Sequence, residues 1–452
     1  MLRIGIGLRC AACLLAALPL LDGCNLTAGI DTLLSAPRLT AEQEEIYKEL
    51  MKSAAGTGIS LKYPKSGEHL SAFTVADLDS DHENEAIVFY EIPGTAAEEN
   101  PLRVCLLDQK DGKWSAVKDY TTAGAEIESV SITQLGENSR KNLIFCYSMV
   151  DGAEYSVEVL HYDNGALERT LSENYSVMDV KDLDFDGTDE LLLISAATVS
   201  TSASATVYHL DAEGSYYRSQ LALPDSFTEI TKMLYGKIPS DNPEIANSGL
   251  AVYLDGMTGA TTMQTEIITY ARRMLQLQYA DSPDKFPNTT RTAGCPSMDI
   301  DHDGETEIPI QTVFYGYAAA DEADQIPMTS WYSCRGGQLM RKKASYYSAS
   351  KGFAFLLPER WEKKVTAVPV EDEVVFYALD TDTVVEEGLP VLREPLLRIT
   401  VVSDAETASN LENNGYLLMR QRGELRYLTK IEDSASPLAP TQSELLFAMR
   451  YF

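Results

Sequence analysis

Basic residues are scarce in this chain: 37 Lys and Arg stand against 68 Asp and Glu, a formal charge of −31. So acidic a surface repels phosphate backbones, which excludes nucleic acid as a partner and suits a domain that gathers cations. Histidine is scarcer still, with five in 452 residues, and His69, His82, His161, His209 and His302 show no zinc-type spacing. The chain has no Gly-x-Ser-x-Gly elbow, no His-Glu-x-x-His pair and no phosphate-binding glycine loop. Those motifs mark serine hydrolases, metalloproteases and nucleotide enzymes. Of seven cysteines, Cys10, Cys13 and Cys24 lie at the start. Cys105 and Cys146 sit in apolar, strand-like runs where a buried thiol is expected, and a Cys295–Cys334 disulfide is left open.

Long apolar runs are absent beyond the first residues. There, Arg3 and Arg9 flank a stretch through Cys13 to Leu21 that has the length and charge of a bacterial export signal. Its ending, Leu21-Asp22-Gly23-Cys24, resembles a lipoprotein signal. That resemblance implies a signal peptide over 1–23, lipid attachment at Cys24 and a membrane contact through the lipid alone. The mature chain would hold 35 basic and 67 acidic residues. Residues 24–38 are small, polar and Pro-punctuated, as a tether would be. A helix is expected within 39–56, opened by a Thr40/Gln43 capping box, with Ile46 and Leu50 on its apolar face.

What the chain has in abundance is one acidic pattern. Asp77-Leu-Asp79-Ser-Asp81-His82-Glu-Asn-Glu85 recurs as Asp182-Leu-Asp184-Phe-Asp186-Gly187-Thr-Asp-Glu190 and again as Asp299-Ile-Asp301-His-Asp303-Gly304-Glu-Thr-Glu307. Carboxylates at positions 1, 3, 5 and 9 of a curled loop converge on one point, and hard oxygen ligands in that number suit calcium. Position 6 must turn sharply, so Gly187 and Gly304 are expected there with positive φ, and His82 makes the first loop the weakest. An EF-hand is excluded, because position 12 holds Val88, Leu193 and Ile310 in place of a bidentate Glu. Acidic turns without a cation would hold repelling carboxylates together, which disfavours plain solvated connections.

Each loop runs into an apolar, β-prone strand, and hairpins turning at Asp111-Gly112, Asn164-Gly165, Glu213-Gly214 and Gly336-Gly337 follow. Two further units keep the strands without the acids, one around Gln134-Leu-Gly136 and one over Thr228 to Gln278. About five four-stranded units over 57–347 predict a mainly β fold, a β-propeller. Acidic loops placed between strands of such units resemble the FG-GAP/VCBS-type repeats of integrin-α-like β-propellers. The resemblance implies structural calcium held by Asp77, Asp79, Asp81 and Glu85, by Asp182, Asp184, Asp186 and Glu190, and by Asp299, Asp301, Asp303 and Glu307. The leader, the helix opening and Leu61-Lys-Tyr-Pro64-Lys-Ser-Gly67 together resemble repeat-containing lipoproteins of Gram-positive bacteria.

From 348 to 452 the repeat gives way to a small α+β domain, with strands near Lys364–Ala367, Glu373–Leu379 and Leu396–Val402 and a helix over Ala405–Asn413. Phe353, Phe355 and Trp361 are expected in its core rather than in a ligand groove. The functional expectation is a lipid-anchored, extracytoplasmic, calcium-binding interaction module that meets a protein or glycan partner at the cell surface. The alternative is a glycan-acting hydrolase or lyase, with a carboxylate pair in the propeller mouth.

Overall fold

A computed structural model describes residues 39–54, 58–94, 101–149, 154–224, 226–279, 288–380, 389–432 and 435–452. The expected signal peptide, the tether and Cys24 lie outside the described residues. None of the described helices is long and apolar enough to cross a membrane.

The protein is mainly β, built from antiparallel sheets of four or five strands. The first sheet contains Phe73–Ala76, Glu85–Glu91, Leu102–Lys110 and Lys113–Thr121, with the short Ser60–Leu61 also paired to the second of these. The second runs Glu126–Thr133, Asn142–Ser148, Tyr155–Asp163 and Ala166–Tyr175; the third runs Val177–Lys181, Glu190–Ser195, Ser204–Leu210 and Tyr216–Ala222. The fourth holds Glu229–Lys237, Leu250–Met257, Thr262–Ala271 and Met274–Tyr279, joined by Arg291–Thr292. The predicted hairpin turns fall where expected. Asp111 and Gly112 have φ of 53° and 71°, and Asn164 and Gly165 have 45° and 87°, the left-handed pair that a tight turn between twisted strands requires.

These sheets pack face to face in chain order. Ile87 and Phe89 of the first meet Val130, Phe145 and Leu160 of the second. Ile144 and Val159 of the second meet Leu191 and Leu193 of the third. Leu192, Ile194 and Val207 of the third meet Val252, Leu254 and Ile268 of the fourth. The strand after each acidic loop thus sends alternate residues into two different cores. That is why it reads as an unbroken apolar run and not as alternation. Phe89 and Phe145 lock the first seam edge to face at 5.2 Å, worth about 0.5–1.5 kcal/mol beyond the area they bury.

No strand of a later sheet pairs with the first, and none of the sheets closes on itself among the described residues. The series of stacked four-stranded units is observed, and the ring of a propeller is not. The second sheet keeps its register without acids. Gly136, at φ 65°, lets its N–H reach Asp189 O at 2.9 Å while Glu137 N–H reaches Leu210 O at 2.8 Å. A Cβ on Gly136 would lie 2.2 Å from Leu210 O, so only glycine permits that approach.

The N-terminal helix, Ala41–Ser53, has the expected capping box and buries Ile46 and Leu50 against the first sheet. The repeat does not end at Tyr347. The fifth sheet runs Ile308–Val313, Pro327–Arg335, Gln338–Ser348 and Phe353–Leu356, and then accepts Met449–Tyr451 from the end of the chain. The boundary expected between 347 and 348 therefore falls within a sheet, because Phe353–Leu356 hydrogen-bonds back onto the hairpin it follows. The sixth sheet orders Val365–Val370, Glu373–Leu379, Leu392–Val402, Leu425–Ile431 and Leu417–Arg422, beside the helix Ala405–Asn413. Phe353, Phe355 and Trp361 are buried in the core it shares with the fifth sheet. Cys295 and Cys334 are both buried thiols, not a disulfide; they sit in separate apolar clusters.

Candidate metal centres

The three acidic loops share three hydrogen bonds, and the second and third add a fourth, from the position-5 N–H to Oδ1 of the first aspartate. An apolar residue at position 2, Leu78, Leu183 or Ile300, is buried as an anchor. Its N–H donates to Oε2 of the position-9 glutamate, at 2.6 Å for Glu85, 2.9 Å for Glu190 and 3.0 Å for Glu307. The position-6 N–H donates to Oδ2 of the first aspartate, from His82 to Asp77, Gly187 to Asp182 and Gly304 to Asp299. The position-7 N–H donates to Oδ1 of the third, from Glu83 to Asp81, Thr188 to Asp186 and Glu305 to Asp303.

Position 6 has positive φ throughout, 77° at His82, 92° at Gly187 and 84° at Gly304. Histidine therefore occupies the glycine conformation. Position 4 is left-handed as well, at Ser80, Phe185 and His302, a second reversal that the ligand spacing did not announce.

Each loop gathers carboxylates that could hold a metal ion. Ligand atoms within 4.8 Å of one another come from Asp77, Asp79 and Glu85; from Asp182, Asp184 and Glu190; and from Asp299, Asp301 and Asp303. Asp186 approaches Glu190 together with His209, and Asp303 approaches Glu307 together with Glu305. Asp81 is exposed and stands outside the first group. His209 and a lysine at 342 were missed by the loop pattern, because strand pairing brings them in from elsewhere in the chain; Glu305 lies in the third loop itself, at position 7, outside the 1, 3, 5, 9 spacing.

The glutamate at position 9 separates the three loops. Glu85 is 1% exposed, and its Oε1, like Asp77 Oδ1 and Asp79 Oδ1, is buried without a hydrogen-bond partner. Glu190 Oε1 instead meets His209 Nδ1 at 3.1 Å, with Asp184 Oδ1 buried and unpartnered. Glu307 Oε1 accepts from Lys342 Nζ at 2.7 Å. Burial pushes Glu85 up to about 7, helped by Asp79, although the Leu78 N–H opposes the shift. Burial likewise takes Glu190 to about 8 and Glu307 to about 7.

Buried, unpartnered carboxylate oxygens are costly unless something positive meets them. An all-oxygen donor set of this kind fits a hard divalent cation, and Asp77, Asp79 and Glu85 would hold it in the first loop.

Segments elsewhere in the chain brace the loops. Asn164 N–H from the second sheet donates to Asp79 Oδ2 at 2.9 Å. Leu250 N–H from the fourth sheet reaches Leu183 O at 2.7 Å, and Arg450 Nε from the last strand reaches Ile300 O at 2.6 Å.

A polar cleft of about 770 Å³ opens where the second sheet meets the third, bordered by Glu173, Asn174, Tyr208, Arg218 and Gln220. Glu173 is already engaged there, accepting from Tyr208 OH at 2.7 Å.

No protein-family model matches the chain, and no curated protein matches it in sequence. Among solved structures, a protein from Lactobacillus plantarum is similar at 11% identity over 73% of this chain and 85% of that one, with a TM-score of 0.28. Rhamnogalacturonan lyase YesW is similar at 12% identity over 70% of this chain and 60% of its own, with a TM-score of 0.30. The Bacillus licheniformis rhamnogalacturonan lyase PL11 is similar at 8% identity over 74% and 77%, with a TM-score of 0.27. These are β-rich proteins, and likenesses at this level carry nothing further about this chain.

Proposed function

We propose that the protein is a calcium-stiffened β-propeller of the integrin-α-like repeat type, held at the extracytoplasmic face of the membrane by lipid on Cys24. It acts there as an interaction module for a protein or glycan partner. The observation that carries this reading is the first loop, where three buried carboxylate oxygens, on Asp77, Asp79 and Glu85, converge without a partner. A calcium ion would satisfy all three at once. Repetition of the same hydrogen-bond scheme around Asp182 and Asp299 supports a structural use of the loop. Each loop lies at a seam between successive units, so an ion there would fix one sheet against the next. The glycan-acting alternative would need an open carboxylate pair; Glu154 and Glu173 both border the polar cleft, and of these Glu173 is tied to Tyr208.

Calcium titration of the full chain by calorimetry, with melting curves in calcium and in chelator, tests the reading. Binding with a rise in melting temperature is expected, since an ion at a hundred times its Kd adds about 2.7 kcal/mol per site. An unchanged melting curve and no heat of binding would remove the calcium role.

A further inference from the structure

The third loop differs from the first in what meets its acids. Lys342 Nζ lies 2.5 Å from Asp303 Oδ2, 2.7 Å from Glu307 Oε1, 3.3 Å from Glu305 Oε2 and 3.8 Å from Asp301 Oδ1. Three of these carboxylates accept hydrogen bonds from the ammonium, Asp301 Oδ1 lies within ion-pair range without one, and the lysine side chain is only 18% exposed. We propose that the protein supplies its own cation here: Lys342 stands where a metal would stand, and divalent ions bind at the first and second loops but not at the third. This rests on the calcium reading of the other two loops.

Strand register explains how the lysine gets there. In the fifth sheet Trp331 pairs with Lys343 and Tyr332 with Arg341, so Lys342 is the extra residue of a β-bulge. A bulge re-aims the side chain it leaves unpaired. The first sheet has the same bulge at the same level. Leu106 pairs with Lys118 and Leu107 with Ala116, which leaves Val117 over. Val117 packs into the apolar core between the first and second sheets, and Glu85 Oε1 is left without a partner. One bulge position thus decides whether a loop carries its counter-charge in the chain or must take it from solution.

The third loop is further held from both sides. Arg335 reaches Glu305 Oε1 at 3.1 Å, and Arg450 Nε bonds Ile300 O. Burial by itself would lower the Lys342 ammonium, but hydrogen bonds to Asp303 and Glu307 outweigh it and the group is raised. An ammonium fixed in this way cannot dissociate, so the fifth sheet is tied to its loop whether or not calcium is present.

Calcium stoichiometry of the full chain, by calorimetry and by terbium luminescence, tests the proposal. Two sites are expected in the natural protein and in Asp301→Asn, and three in Lys342→Met or, should that variant not fold, in Lys342→Gln. Three sites in the natural protein, or loss of a site in Asp301→Asn, would overturn it. A folded Lys342→Met or Lys342→Gln that still binds two would do the same. No binding by the natural protein or by either Lys342 variant would instead be the failure of the calcium reading.

Discussion

The first and third acidic loops share a turn conformation and a pattern of carboxylates, and they differ most in what meets the position-9 glutamate. In the first, Glu85 turns a bare Oε1 inward; in the third, Glu307 holds Lys342. A buried carboxylate cluster needs positive charge, and evolution can place that charge on the chain or leave it to the solvent. The choice sets what the seam responds to. A loop closed by an ammonium is permanent, whereas one closed by an ion would follow the concentration of that ion.

The contrast breaks most sharply at the first loop. Replacing Asp77 and Asp79 together with Asn should lower calcium affinity there more than about 100-fold, since charge count and ligand quality set affinity in oxygen sites; titration of that site measures it. The same double change at Asp299 and Asp301 should leave calcium binding untouched.

Next in size is the effect of Lys342→Met on stability. Removing one partner of a fully buried pair costs about 3–5 kcal/mol; with Asp303 45% exposed and Lys342 18%, urea unfolding in chelator should show a loss below that range. Calcium should restore much of it, because the vacated loop then resembles the first. An equal loss with and without calcium would mean that the loop cannot accept an ion.

A smaller effect is set by pH. Glu85 and Glu190 titrate near about 7 and 8 in the folded protein, against an ordinary value of 4.5. Their folded values are raised, so the metal-free fold binds protons that the unfolded chain releases. The stability they contribute is fully present below 4.5 and is lost as pH rises through about 7 to 8. In chelator the melting point should therefore fall between about pH 5.5 and pH 8.5, and Glu85→Gln should flatten part of that fall. Calcium should cancel it. A chelated protein whose Glu85→Gln variant keeps the same pH slope would show that this carboxyl is not the source.

The smallest change sharpens the comparison from the backbone side. His82 holds φ 77° where the other loops have glycine. His82→Gly should relieve that strain and raise stability by about 0.5–1 kcal/mol, read from the urea midpoint.

Much of this was legible in the chain. The turns at Asp111-Gly112 and Asn164-Gly165 declare themselves because few residues accept left-handed φ, and the apolar runs after the loops declare themselves because they are covered on both faces. The ligand spacing was legible too, being local. Lys342, His209 and Arg450 were not, since each reaches its loop through strand register or a bulge, and neither leaves a periodic trace. The edge strand Met449–Tyr451 was hidden for a similar reason: three residues are too few to show a pattern. The Cys295–Cys334 pairing that the sequence left open is answered by packing, because the two cysteines belong to different apolar clusters.

Those thiols have a use that their burial creates. Cys105 lies beneath the N-terminal helix, Cys146 between the second and third sheets, and Cys334 between the fourth and fifth. All are at most 4% exposed, and burial pushes the Cys105 thiol up to about 12, aided by Asp119. None can react until its seam parts. The chain therefore carries timers at three of its seams, and the order in which an alkylating reagent reaches them in chelator would record the sequence in which those seams part.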